Sequence, residues 1–136
     1  MREQLVQMAV AAMKKAYAPY SRFQVGAALL TKEGKIYTGC NIENAAYGPT
    51  NCAERTAFFK AVSEGERAFA AIAVVGGMNG DVKAFAAPCG VCRQVMREFC
   101  EDAFEIHLWN GSEYRTCTLA ELLPLSFGSA NLSESC

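Results

Sequence analysis

Four residues have side chains and spacings that could act together: Cys52, Glu54, Cys89 and Cys92. In Cys52-Ala53-Glu54 a carboxylate follows a thiol by two positions, and in Pro88-Cys89-Gly90-Val91-Cys92 two thiols stand three apart. Three apart on a helix, two Cβ atoms lie roughly 5–6 Å from each other, so both sulfurs can reach one Zn²⁺ at about 2.3 Å. Cys52 completes a set of three if the fold brings it to the same point. Cys100 lies about 12 Å farther along the predicted helix, at roughly 1.5 Å per residue, and cannot join them. Cys40, Cys117 and the only histidine, His107, have no second ligand at chelating spacing. Three ligands and an open fourth position are the pattern of catalytic zinc, which activates water. Glu54, in the turn after Cys52, can project past the helix end as general base and then general acid.

The elements that must position these residues are legible from periodicity. Leu5, Met8, Ala9, Ala12, Met13 and Ala16 mark the apolar stripe of a first helix ending before Pro19. Residues 23–31 and 35–42 flank the turn Lys32-Glu33-Gly34 and read as an antiparallel hairpin. Residues 52–64 read as a helix closed by Gly65, and 69–75 as a buried central strand. Pro88 opens a third helix over 88–99, followed by strands over 104–109 and 113–117. Thr118-Leu119-Ala120-Glu121 matches a capping box for a last short helix. The order α-β-β-α-β-α-β-β-α predicts an α/β fold: a three-layer α-β-α arrangement with a five-stranded mixed sheet and right-handed crossovers through the second and third helices. Both crossovers would start their helices at one sheet edge, bringing Cys52 to Cys89 and Cys92. Helix starts favour thiolates, because unpaired N–H groups and the positive end of the helix dipole lie there.

Composition narrows the function further. The 136 residues suit a single domain, expected over 1–128, with a polar tail over 129–136. Thirteen basic against fourteen acidic residues give a net charge of −1, so no bulk field draws in nucleic acid. The uncharged run 68–80 falls short of the roughly 20 apolar residues of a membrane span. The N-terminus lacks the apolar core of an export signal, so a cytoplasmic, reducing location is expected. There, seven cysteines point to metal or catalysis rather than a disulfide frame, and an odd number cannot all pair internally. Cys40, Cys100 and Cys117 read as small core hydrophobes, Cys136 as a tail thiol and His107 as a structural strand residue.

Cys52-Ala53-Glu54 followed by Pro88-Cys89-Gly90-Val91-Cys92 matches the signature of zinc deaminases in its three-cysteine form. The likeness extends through 18–29 (APYSRFQVGAAL), 39–47 (GCNIENAAY), Arg55, Arg93-Gln94 and Leu122-Leu123-Pro124, so nearly the whole chain resembles the short, homotetrameric type of cytidine deaminase. The resemblance implies one Zn²⁺ per subunit, held by Cys52, Cys89 and Cys92, with Glu54 catalytic. It implies hydrolytic deamination of cytidine and deoxycytidine to the uracil nucleosides in pyrimidine salvage. Arg55 would donate to the thiolates, offsetting the net negative charge of a dication on three sulfurs, and Gln94 would help to position Arg55. Asn41, Ile42 and Glu43 would bind the ribose, Phe23 would pack on the base, and the Ala53 backbone would read the pyrimidine carbonyl. Tyr47 and Phe127 would enter a neighbouring subunit's site in a homotetramer. The expected ligand is a small nucleoside, with neither nucleic acid nor membrane as partner.

Three other readings compete. A blasticidin-type deaminase shares the three-cysteine centre, but Glu43 beside Asn41 favours a sugar-bearing substrate. A structural zinc or redox-thiol protein would need a fourth protein ligand or an oxidisable pair. An editing deaminase for RNA or DNA would need a basic surface or a single-strand platform, and neither is evident.

Overall fold

In the computed structural model, which describes residues 1–132, the elements are α1 (Arg2–Met13), β1 (Phe23–Thr31), β2 (Ile36–Cys40), α2 (Ala53–Ser63), β3 (Phe69–Met78), α3 (Gly90–Phe99), β4 (Glu105–Trp109), β5 (Tyr114–Thr118) and α4 (Leu119–Leu122), followed by a 3₁₀ turn, Ser129–Leu132. Cys136 lies outside the described residues. The five strands form one mixed sheet in the order β2-β1-β3-β4-β5. Only β3 and β4 pair in parallel; the other neighbours are antiparallel.

This order positions the functional residues. Because β2 and β3 both run antiparallel to β1, they point the same way. The helices that follow them, α2 and α3, therefore begin at the same end of the sheet, the usual location of ligand sites in such folds.

The period of two in β1 sorts the layers. Ala28 faces one side, where α1 lays Leu5, Val6, Ala9 and Met13 against Ala71, Ala73 and Val75. Ala27 and Leu29 face the other, beneath Ala57 and Phe58 of α2, Met96 of α3 and Leu119 of α4. Phe58 is fully buried, with ring centroids of Phe69, Phe104 and Phe99 at 5.1, 6.1 and 6.2 Å. Truncating such a ring costs roughly 3–5 kcal/mol, so this cluster anchors α2 firmly. The approach of helix to sheet is set by two glycines. A Cβ on Gly39 would lie 2.5 Å from the Ala53 carbonyl oxygen, and one on Gly26 would lie 2.0 Å from that of Ala9. Gly39 in particular admits the first turn of α2, and with it Cys52 and Glu54.

Several boundaries differ from the sequence expectation. The first helix ends at Met13, short of Ala16. The second strand ends at Cys40, because Ile42 leaves the sheet to exchange backbone hydrogen bonds of 2.9 Å each way with Asn51. The central strand runs on to Met78, since Gly76 and Gly77 continue the pairing with Val25 and Gln24. The third helix starts at Gly90 instead of Pro88, with Cys89 as its N-cap. Residues 129–132, expected as tail, form the 3₁₀ turn, in which the Gly128 N–H donates to Asn131 Oδ1 at 2.8 Å.

Candidate metal centre and active site

Cys52 and Cys89 are the N-cap residues of α2 and α3, and Cys92 sits in the first turn of α3. The backbone of both N-caps is extended, and neither thiol makes a capping hydrogen bond. Their sulfurs are thus free to converge. Cys52 Sγ lies 3.8 Å from Cys89 Sγ, which lies 3.5 Å from Cys92 Sγ, and all three fall within 4.8 Å of one another. Sulfurs about 2.3 Å from a tetrahedral ion are about 3.8 Å apart, so the set fits one zinc ion with little movement. Among the described residues no fourth His, Cys, Asp or Glu joins the cluster. The structural-zinc reading required such a ligand, and the geometry is instead that of a three-ligand site with one position open.

Electrostatics match the donor set. Arg55 Nη2 donates to Cys52 Sγ at 3.2 Å, while Arg55 Nε is buried without a partner. A guanidinium held this way is compensated by anionic sulfur. The Cys52 thiol is drawn well below its ordinary range, first by the neighbouring Cys92 thiol and then by Arg55. Cys92 is pushed up by the neighbouring Cys52 sulfur and by burial. A dication in place of the shared protons would draw all three sulfurs into the thiolate form.

Glu54, only 4% exposed, stands in the first turn of α2. Burial pushes its carboxyl up to about 7, and the charge on Cys52 adds to the effect. A carboxyl held near neutrality can take up and return a proton. Glu54 opens onto a cavity of about 170 Å³ that it shares with Phe23, Asn41, Cys52, Ala53 and Cys89. Thr50, Asn51, Ala86 and Ala87 also line it; sequence reasoning had not singled them out. Asn51 adjoins Cys52, and its pairing with Ile42 fixes where α2 begins.

The expected sugar residues occupy two adjoining cavities. Asn41 is buried beside the metal site, where Val25 N–H donates to its Oδ1 at 2.9 Å and its Nδ2 donates to the Phe23 carbonyl at 2.8 Å. Glu43 lines a larger cavity of about 420 Å³ with Tyr20, Ser21, Asn44 and Tyr47, and Thr50 borders both spaces. Ile42 is half exposed. Tyr47 meets Tyr20 of its own chain edge-on at 6.3 Å. Gln94 does not hydrogen-bond Arg55: its Nε2 donates to the Phe127 carbonyl at 2.8 Å, and Phe127 is 59% exposed. Arg93 Nε donates to the Pro88 carbonyl at 2.7 Å and its Nη1 to the Leu122 carbonyl at 2.8 Å, bracing the loop before Cys89 against α4.

Of the remaining thiols, Cys100 is buried and its pKa is pushed up to about 12 by burial, whereas Cys40 and Cys117 are half-buried. His107 is buried in β4, its Nδ1 2.8 Å from Thr116 Oγ1, and burial moves its pKa down. These four take no part in the cluster.

Residues 1–107 match the model of the cytidine and deoxycytidylate deaminase zinc-binding region. The chain is 52% identical over 132 residues to a cytidine deaminase of Sporosarcina psychrophila, covering 96% of this chain and 94% of the relative. It is 34% identical to a blasticidin-S deaminase of Bacillus cereus over 111 residues, covering 79% of each. A crystal structure of cytidine deaminase from Burkholderia pseudomallei superposes with a TM-score of 0.87 at 50% identity, covering 93% of this chain and 99% of that one.

Proposed function

The chain belongs to the cytidine and deoxycytidylate deaminase family, and from that membership and the geometry of the site we propose that it hydrolyses cytidine and deoxycytidine to the corresponding uracil nucleosides and ammonia, in pyrimidine salvage. The observation that carries this reading is the convergence of three cysteine sulfurs from two helix starts, two of them, on Cys52 and Cys89, lining a cavity into which a buried glutamate opens. Cys52, Cys89 and Cys92 would hold a zinc ion, which would supply an activated water as nucleophile. Glu54 would carry one proton of that water to ring N3 and then its second proton to the departing amine, so its two roles need one carboxyl that titrates near neutrality. Arg55 keeps electron density on the sulfurs in balance by donating to Cys52. The Ala53 N–H, in the first turn of α2 where no intrahelical acceptor exists, suits the pyrimidine carbonyl. Phe23 offers its ring to the base, while Asn41 with its neighbour Ile42, and Glu43, take the sugar hydroxyls.

The same reading extends to assembly and location. Tyr47, Phe127 and Leu125 are 73%, 59% and 107% exposed, which supports a homotetramer in which Tyr47 and Phe127 reach neighbouring sites, with one zinc per subunit. Among the described residues six cysteines are free, which suits a reducing, cytoplasmic setting. No helix of the described residues is long and apolar enough to cross a membrane. The nucleoside reading is favoured over a blasticidin-type substrate by the 52% identity to a cytidine deaminase against 34% to a blasticidin-S deaminase. The test is zinc analysis of the purified protein together with ammonia release from a panel of nucleosides, free bases, nucleotides and blasticidin S. One zinc per chain with release from cytidine and deoxycytidine is expected. Release from blasticidin S alone, or from none of the panel, would overturn the assignment.

A further inference from the structure

The Glu43 carboxylate is held by the chain itself. Its Oε1 accepts the Tyr20 N–H at 2.9 Å and the Ser21 N–H at 3.2 Å, and its Oε2 accepts the Ser21 hydroxyl. A carboxylate offers about four acceptor positions, so these three bonds leave one, on Oε2. The Ser21 oxygen has a second contact, accepting the Phe23 N–H at 3.0 Å. Because Asn41 Nδ2 donates to the Phe23 carbonyl, both backbone polar groups of Phe23 are held by side chains. One serine hydroxyl thus ties the carboxylate assigned to the sugar to the residue assigned to the base.

We propose that Ser21 is a positioning residue that orients Glu43 toward the substrate sugar and fixes its register against Phe23; this rests on the reading of Glu43 as a sugar contact. Ser21 touches no reacting atom in that reading. It removes the rotational freedom of the glutamate before substrate arrives, and it leaves one lone pair of Oε2 for a single sugar hydroxyl. The serine hydrogen bond also heads the causes that hold the Glu43 carboxyl below its ordinary range, so the group stays ionised as an acceptor. A contact that organises binding equally in the ground and transition states changes KM and leaves kcat alone.

The experiment is steady-state kinetics on cytidine with the zinc-loaded Ser21→Ala, Ser21→Thr and Glu43→Gln proteins and the Ser21→Ala/Glu43→Gln double variant. Ser21→Ala is expected to raise KM about tenfold with kcat within about twofold, the loss of one hydrogen bond to a charged group. Ser21→Thr keeps the hydroxyl and should restore KM. The double variant should be no worse than Glu43→Gln, because the serine acts through the glutamate. Additive losses, a fall in kcat without a change in KM, or no rescue by threonine would overturn the proposal. An unchanged KM in Glu43→Gln would instead remove Glu43 from the sugar site, a separate failure.

Discussion

The starts of α2 and α3 contrast with the start of α4. At α4 the first amides are all satisfied by the protein: Leu119 N–H donates to the Phe104 carbonyl at 2.9 Å, Ala120 N–H to the Asp102 carbonyl at 3.2 Å, and Glu121 N–H to Thr118 Oγ1 at 3.3 Å. Glu121 Oε1 in turn accepts the Thr118 N–H at 2.8 Å, closing a capping box. At α2 and α3 the cap side chains are thiols that make no capping bond and face each other instead. The α4 end is finished within the chain and serves stability. The other two are left open, with orphan donors and a local positive potential that suit thiolates and a substrate carbonyl.

The largest test of this contrast is Glu54→Gln, which keeps size and removes the titrating proton. Turnover should fall ~10²–10⁴-fold, equivalent to about 3–5.5 kcal/mol of barrier, while zinc content and folding persist. Near-normal turnover would mean that the open helix ends bind metal without doing the chemistry assigned to them. Next in size is Arg55→Ala. Partners of metal ligands typically account for 10–100-fold in metal affinity, so competition against a chromophoric chelator should show zinc binding weakened by about that factor. Undiminished affinity would leave the helix dipoles to offset the sulfur charge alone.

The sequence revealed most of what lies along one element and little of what joins distant ones. The first strand runs from Phe23 to Thr31 as its flanking turns predict, and the Thr118–Glu121 box is present because all its contacts fall within four residues. The three clustered cysteines stand out because spacing and a neighbouring acid are local signals; their convergence follows only from chain order, through a sheet in which β2 and β3 run the same way. Gln94 marks the limit. Its partner is a carbonyl 33 residues away, and nothing in Arg93-Gln94 indicates whether the amide turns toward Arg55 or toward Phe127. Asn41 and Glu43 show the same limit: the resemblance assigns both to the sugar, but the strand ends at Cys40, and backbone groups of β1 and of the Tyr20–Ser21 turn claim the two side chains separately.

The smallest effect expected, and the sharpest on the contrast itself, comes from Thr118→Ala. Removing a threonine N-cap costs ~0.5–2 kcal/mol, here by taking away the acceptor of the Glu121 N–H and one side of the box. If α4 is a finished, structural end, chemical denaturation should show that loss while zinc affinity and kcat/KM stay within about twofold of the parent. A route by which the effect could spread is visible: Arg93 Nη1 bonds the Leu122 carbonyl at the end of α4, while its Nε holds the Pro88 carbonyl just before Cys89. Loosening α4 would then slacken the arm that presents Cys89. A Thr118→Ala protein with weakened zinc binding would therefore show that the two kinds of helix start are mechanically joined through Arg93, and the separation drawn between them would fail at that residue.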